Sequence, residues 1–303
     1  KRKMESLYSL LRTIDSYTNP SFTLIRSVLK SLRKSKVRRP DIIVKYGPKL
    51  IAGSSMSDVE LFGYYENIFI SALDYGDYKT ADKYLEILVK KFPQSSRVKR
   101  LLGMGLESQG EYENALKMYN EILAETPSNL LVLKRKVAVY RAQGNMKLAV
   151  ESLNDIVKLY QTDSSSWLEL SDIYLTLCDY NSAAFCIEEV IILNPTTAAY
   201  HTKLAEILYT IGDVSSLIKA RKHYSISLNL ASSKCNTRAL YGLAMTCKVL
   251  LAQKKLPPNE DLISKEFLSW VQEKINERNQ QDRELVGKVM NGITKQEQIG
   301  DLD

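Results

Sequence analysis

Two histidines in a chain of 303 residues leave little material for acid–base or metal chemistry. His201 stands where Trp167 stands one repeat earlier, which points to packing, and His223 has no partner identifiable from its neighbours in sequence. No H-E-x-x-H, P-loop or G-x-S-x-G occurs, and Gly103-x-Gly105 lacks the third glycine of a dinucleotide turn. The four cysteines, Cys178, Cys186, Cys235 and Cys247, show no C-x-x-C spacing. A chain this long needs no disulfide staples, so reduced thiols in a cytosolic compartment are expected. Apolar runs are short: VIIL at 190–193 falls far below the ~18 residues that cross a bilayer. The residues from Lys1 onward lack the pattern of a signal peptide, so secretion has no support. Asn19-Pro20-Ser21 and Asn194-Pro195-Thr196 are both blocked as glycosylation sites by proline. Period-two alternation is missing, which argues against strands. The expectation is a protein that is not an enzyme, with no cofactor, metal or catalytic residue.

What is present is unevenly spread. Hydrophobic residues make up 45% and charged residues 25%, enough to bury a continuous core. Residues 1–40 carry eleven Lys or Arg (Lys1, Arg2, Lys3, Arg12, Arg26, Lys30, Arg33, Lys34, Lys36, Arg38 and Arg39) against Glu5 and Asp15, a net of +9. The whole chain is +7, so the other 263 residues sum to −2 and the basic character belongs to the N-terminal segment. Such a segment suits anionic lipid, RNA or an acidic partner, or is simply a solvated helix face.

An internal period decides the fold. Gly76, Gly110, Gly144 and Gly212 stand on a ladder of 34 residues, with Cys178 on the rung that lacks glycine. Ala81, Ala115, Ala149 and Ala183 follow five residues after the first four rungs, and Tyr78, Tyr112 and Tyr180 follow two after theirs. In the unit 96–129, Leu102, Gly103 and Leu106 mark a first amphipathic helix and Ala115, Tyr119, Ile122 and Leu123 a second. Gly110 permits the tight turn between them, Ala115 allows close approach, and Pro127 ends the second helix. The pattern resembles the tetratricopeptide repeat, matched by Trp167, Leu170 and Tyr174, by Leu102 and Gly103, by Ala115 with Tyr119, and by Pro127 and Pro195. The fold implied is all-α, a right-handed superhelical tetratricopeptide solenoid. Its expected parts are basic N-terminal helices at 1–61 packing on the first repeat, an array at 62–250, a C-terminal capping helix at 251–278, and a weakly ordered or partner-dependent tail at 279–303. The cap shows Leu262, Phe267, Trp270, Val271 and Ile275 on one face. Three extra residues in GDVSSLI are needed to keep Ala220 and Tyr224 in phase. Most tyrosines fall on core positions of the repeat, which disfavours a base-stacking, nucleic-acid-binding surface.

In arrays of this kind the first helices line the concave face. That frame brings Arg97, Arg100, Lys134, Arg135 and Arg141 together on inward positions, followed by Glu169, Asp172 and Glu206 in the next two units. A groove with a positive and a negative half would orient a polypeptide ligand, unless its charges are merely solvated. The carboxylate clamp of tetratricopeptide co-chaperones is absent, since its places are taken by Arg100, Met104, Arg135, Ser165 and Glu169.

Four stretches are more specific than the repeat: ISALDYGDYKTA at 70–81, KKFPQSSRVKRLLGM at 90–104, SAAFCIEEVIILNP at 182–195 and NTRALYGLA at 236–244. They resemble the family of subunit 2 of the endoplasmic reticulum membrane protein complex, from about residue 60 to 245. The resemblance implies a non-catalytic scaffold in a hetero-oligomer, peripheral on the cytosolic face of that membrane, in an assembly that inserts tail-anchored and multipass transmembrane helices. The partners it implies are the membrane-embedded subunits three and five and cytosolic subunit eight or nine, with weak anionic-lipid contact through the N-terminal segment and no nucleic acid. A soluble adaptor or co-chaperone of another assembly and a nucleic-acid-binding solenoid are the alternatives.

Overall fold

The computed structural model describes residues 8–14, 17, 20–35, 37–53, 56–231, 236–252, 269–271, 273 and 275. Among them there are helices and no strand. After a helical stretch at 8–14 come α1 (Phe22–Ser35), α2 (Pro40–Gly53), α3 (Asp58–Tyr75), α4 (Tyr78–Lys91), α5 (Ser96–Ser108), α6 (Tyr112–Glu125) and α7 (Leu130–Ala142). The order continues with α8 (Met146–Leu159), α9 (Ser164–Thr176), α10 (Tyr180–Leu193), α11 (Ala198–Ile211), α12 (Val214–Leu230) and α13 (Thr237–Ala252). The chain divides between Ser152 and Leu153 into two compact units.

The 34-residue ladder fixes where each hairpin turns. Gly76, Gly110, Gly144 and Gly212 all hold φ between 74° and 85°, the left-handed region that a residue without Cβ enters freely. Cys178 adopts the same conformation, at φ 58°, in spite of its Cβ. The next residue caps the second helix: Asp77, Asn145, Asp179 and Asp213 accept from the backbone N–H of Thr80, Leu148, Ser182 and Ser216 at 3.0–3.2 Å. Hydrogen bonds from Ser216 and Ser215 pull the Asp213 carboxyl down to about 2. The extra residues of the fifth repeat lengthen a helix and not a loop. Gly212 and Asp213 keep the ordinary turn and cap, while α12 has 17 residues where α10 has 14.

In unit 1, Leu11, Ile14, Ile25, Val28, Leu32, Ile42 and Leu50 form one buried cluster. The next cluster holds Ile68, Phe69, Ala81, Tyr84 and Leu101, against which Ile43, Val44 and Ile51 of α2 pack. Ala115, Tyr119, Ile122, Val132 and Val139 follow. The hydroxyl end of the Tyr119 ring lies against Gly103, where an added Cβ would come within 2.6 Å of Cζ. In unit 2, Ala183, Ile187, Leu204, Leu208, Ala220, Tyr224, Leu240, Leu243 and Cys247 share a cluster that Val271 and Ile275 complete. Of the expected cap, Leu262 and Phe267 lie outside the described residues, as do the tail at 279–303, Cys235, and Lys1, Arg2, Lys3, Glu5, Asp15 and Lys36.

Candidate functional site

The inward residues named from sequence lie on first helices: Arg97 and Arg100 on α5, Lys134, Arg135 and Arg141 on α7, Glu169 and Asp172 on α9, and Glu206 on α11. The first five belong to unit 1 and the last three to unit 2. Each row contains, beside these groups, opposite charges that the sequence reading did not set against them.

In unit 1, the Glu66 carboxylate of α3 accepts from Arg97 Nη2 and, at 3.2 Å, from Arg100 Nη2. Glu107 of α5 accepts from Arg135 Nε at 3.1 Å and from Arg135 Nη2, and its Oε1 also accepts from the Tyr119 hydroxyl at 2.5 Å. Both carboxylates are 11% exposed. The Glu66 carboxylate holds the Arg97 guanidinium in its charged form. Burial and the nearby Arg100 push the other way on Arg135. Arg100 keeps a buried Nε with no hydrogen-bond partner. Lys134 and Arg141 are engaged with their surroundings as well.

Unit 2 repeats the device with the same polarity, the acid on one first helix and the base on the next. Lys203 Nζ donates to Asp172 at 2.5 Å, and Arg238 grips Glu206 through Nε and, at 2.7 Å, through Nη2. Glu169 is also engaged. Beside these pairs a cavity of about 490 Å³ is lined by Leu175, Thr202, Lys203, Glu206, Asn236 and Arg238, among others. Asn236 Nδ2 donates to Thr202 Oγ1 at 2.8 Å and to Ser227 Oγ at 2.9 Å, which ties α11, α12 and the start of α13 together.

A uniformly positive half and a uniformly negative half are therefore not what the rows present. Partners stand one repeat away, 28 to 34 residues along the chain, from one first helix to the next. A search for opposite charges at that spacing on inward positions would have found Glu66, Glu107, Lys203 and Arg238. Reversing the charge of Arg100 or Arg135 would therefore disturb the fold as well as the surface. Arg100 is 15% exposed against Glu66, so reversal would face two poorly hydrated carboxylates with each other. Arg97, 64% exposed, is the cation of the row that reaches solvent.

The N-terminal cations are also partly matched: Arg26 pairs with Glu60 at 2.6 Å, Arg38 with Asp74 at 3.5 Å and Arg39 with Asp41 at 2.7 Å. The Arg39 hydrogen bond keeps the Asp41 carboxyl below its ordinary range. Exposed pairs of this kind contribute roughly 0–1 kcal/mol each, so they shape the field more than the stability.

The two histidines do meet. Their rings stack with centroids 5.4 Å apart and Nδ1 to Nδ1 at 3.1 Å. His201 Nε2–H donates to the Pro195 carbonyl at 3.0 Å, which leaves its Nδ1 as the acceptor for His223 Nδ1–H. Trp167, the counterpart of His201, meets Phe185 edge-on at 6.1 Å. These are packing contacts between first and second helices. Burial raises the Cys186 thiol to about 12 and the Cys247 thiol to about 11, which keeps both protonated. Among the described residues, no group of three or more His, Cys, Asp or Glu is placed to hold a metal ion.

Known proteins match this chain along most of its length. The EMC2 TPR-like repeat domain family matches residues 79–229. ER membrane protein complex subunit 2-A of Xenopus laevis is 33% identical over 268 residues, 88% of each chain. ER membrane protein complex subunit 2 of Dictyostelium discoideum is 35% identical over 215 residues, 70% of this chain and 67% of that one. Among solved structures, the C-terminal part of a TPR repeat-containing protein from Cytophaga hutchinsonii aligns with a TM-score of 0.57 at 15% identity, covering 88% of this chain and 98% of that one.

Proposed function

The chain belongs to the family of subunit 2 of the ER membrane protein complex, and we propose that it serves such a complex as a non-catalytic scaffold subunit. The observation that carries this reading is identity of 33% sustained over 88% of both this chain and the Xenopus laevis relative. Similarity of that extent reaches well beyond the family match at residues 79–229. It also joins the two rows of charged first helices to a protein named for its membership of an assembly.

In this reading the scaffold sits at the cytosolic face of the endoplasmic reticulum membrane and is held there by its partners. Among the described residues no helix is long and apolar enough to cross a membrane, which fits peripheral attachment. It supports insertion of tail-anchored and multipass transmembrane helices by holding cytosolic segments of membrane-embedded subunits three and five, and by docking cytosolic subunit eight or nine. Arg97, Arg100, Lys134, Arg135 and Arg141 of unit 1 offer donors to acidic side chains and backbone carbonyls. Glu169, Asp172 and Glu206 of unit 2 accept from basic ones. Anionic lipid adds a weak contact, since each exposed Lys or Arg near the surface is worth about 1 kcal/mol.

The test is fractionation of membranes in ~1 M salt, where the screening length shrinks to about 3 Å, followed by affinity purification in detergent. Retention on the membrane and recovery together with several integral subunits are the expected results. Complete release into the salt wash, or recovery with soluble proteins alone, would refute the scaffold reading in favour of a soluble adaptor or a charge-bound surface protein.

A further inference from the structure

Unit 1 carries an open apolar cavity of about 510 Å³ that none of the ion pairs fills. Its floor is Phe62, Leu88, Phe92, Val98 and Leu101, with Val59 at the lip. Leu88, Val98 and Leu101 are buried, yet Val59 is 85% exposed and Phe92 38%. Phe62 and Phe92 meet edge-on at 4.9 Å, so the aromatic wall is braced from within. The volume falls in the range of roughly 300–1,000 Å³ typical of ligand pockets. A contiguous apolar recess rimmed by polar groups is a usual mark of an interaction site.

The rim has an excess of positive charge. Arg33, at the end of α1, and Lys91, at the end of α4, line it together with Arg97, Asp58 and Glu66. Glu66 is committed to Arg97 and Arg100. Among the described residues, neither Arg33 nor Lys91 has a carboxylate within ion-pair distance. The Arg33 guanidinium reaches over Gly63, where a Cβ would approach Nη1 to 3.4 Å, so the missing side chain opens the passage beneath it.

We propose that this cavity docks a segment of a partner protein through one bulky apolar side chain, with an acidic residue beside it meeting Arg33 and Lys91. The apolar floor specifies the anchor, and the unmatched cations specify the sign of its neighbour. The site rests on the scaffold reading, but it adds a residue-level address and a ligand chemistry, and it adjoins the charged row, with which it shares Arg97 and Glu66. The anchor supplies most of the affinity, since a buried aromatic or aliphatic side chain dominates interfaces of this kind, whereas the rim charges select the segment.

A photocrosslinking amino acid at Val59, in the full chain within the purified native assembly, tests this directly. After irradiation the joined segment is sequenced by mass spectrometry. The expected product is a segment of another protein with a Leu, Phe, Met or Ile flanked by Asp or Glu. Arg33→Glu should lower its yield about tenfold and Arg33→Lys should retain most of it. A basic or wholly polar segment, a lipid, a second copy of this chain, residues of the same chain, or no adduct at all would each overturn the proposal. So would a yield indifferent to Arg33→Glu. Co-purification of unsubstituted chain with membrane subunits is scored in parallel. Its failure sinks the scaffold reading, whereas its success with a wrong adduct sinks the cavity alone.

Discussion

Replacing Gly103 with alanine sets helix propensity against packing. In the interior of α5 an alanine is favoured over glycine by about 1 kcal/mol, because glycine gives up more backbone freedom on folding. The new Cβ, however, would lie 2.6 Å from Cζ and 2.8 Å from Oη of Tyr119, where ordinary carbon contacts begin near 3.5 Å. Tyr119 cannot swing away into water. It is fully buried among Ala115, Ile122, Val132 and Val139, and its hydroxyl is bound to Glu107. Displacing it overpacks the cluster at a cost of about 1–3 kcal/mol and loses a hydrogen bond to a carboxylate, a further ~1.5–3 kcal/mol. Packing wins, and the net destabilisation is roughly 1.5–5 kcal/mol after the propensity gain is subtracted.

The assay is urea denaturation of the full chain followed by helical circular dichroism, comparing midpoints because a repeat protein need not unfold in one step. The decisive arm is Gly103→Ala in a Tyr119→Ala background. With the ring gone, the same substitution should change sign and stabilise by about 1 kcal/mol. If alanine at 103 is harmless beside the native tyrosine, or equally damaging without it, the ring-against-glycine contact is not what holds α5 to α6. Gly242 against Tyr224, where a Cβ would lie 2.5 Å from Cε1, repeats the arrangement in unit 2 and should behave alike.

Cys178→Gly should stabilise the chain by about 0.5–1 kcal/mol, because it removes a Cβ from a left-handed residue at φ 58°; a lowered denaturation midpoint would contradict the strain argument. The His201–His223 pair makes stability depend on pH. Burial, with His201 and Lys219 nearby, lowers the His223 pKa below its ordinary value, so near and below about 6.5 the unfolded chain binds more protons at this position than the folded one. The contribution is fully present above that pH and is lost as pH falls through the unfolded value toward the folded one. The melting temperature should therefore drop between pH 7.5 and 5.5, and drop less in His223→Phe; an unchanged slope in the variant would remove the pair as its source.

How much of this was readable follows from the range of each interaction. The turns were legible because a left-handed residue and a cap are local: Gly76 with Asp77, or Gly212 with Asp213, announces a hairpin within two positions. The alanines at Ala81, Ala115 and Ala183 were legible because close helix approach forces a small residue at a fixed phase, and each is fully buried. The length of α12 was not, since three extra residues can enter a loop or a helix with the same effect on phase. His223 escaped because its partner lies 22 residues away on another helix. The charged rows were half legible. Inward positions follow from helical phase alone, but pairing requires two helices to be laid side by side, so Arg97 and Arg100 were visible while Glu66 was not set against them.

That omission changes what binding along the rows demands. If the guanidinium groups stood unmatched, an acidic segment would relieve their repulsion and gain affinity from charge alone. They are instead satisfied by Glu66 and Glu107 from neighbouring helices, so an incoming carboxylate must compete for a donor already in use or accept a shared one. Taking a donor from a carboxylate only 11% exposed leaves that charge poorly hydrated and short of a partner, so the exchange yields no net affinity. Charge along the first helices can then fix the register and direction of a ligand without holding it. The holding must come from apolar burial, at about 25 cal/mol for each Å² removed from water. In unit 1 the exposed Val59 and Phe92, with the half-buried Phe62, provide such surface around the cavity immediately beside the row. A segment that runs along the row but leaves the cavity empty should therefore dissociate quickly and be sensitive to salt, whereas one that fills it should remain bound after the charges are screened.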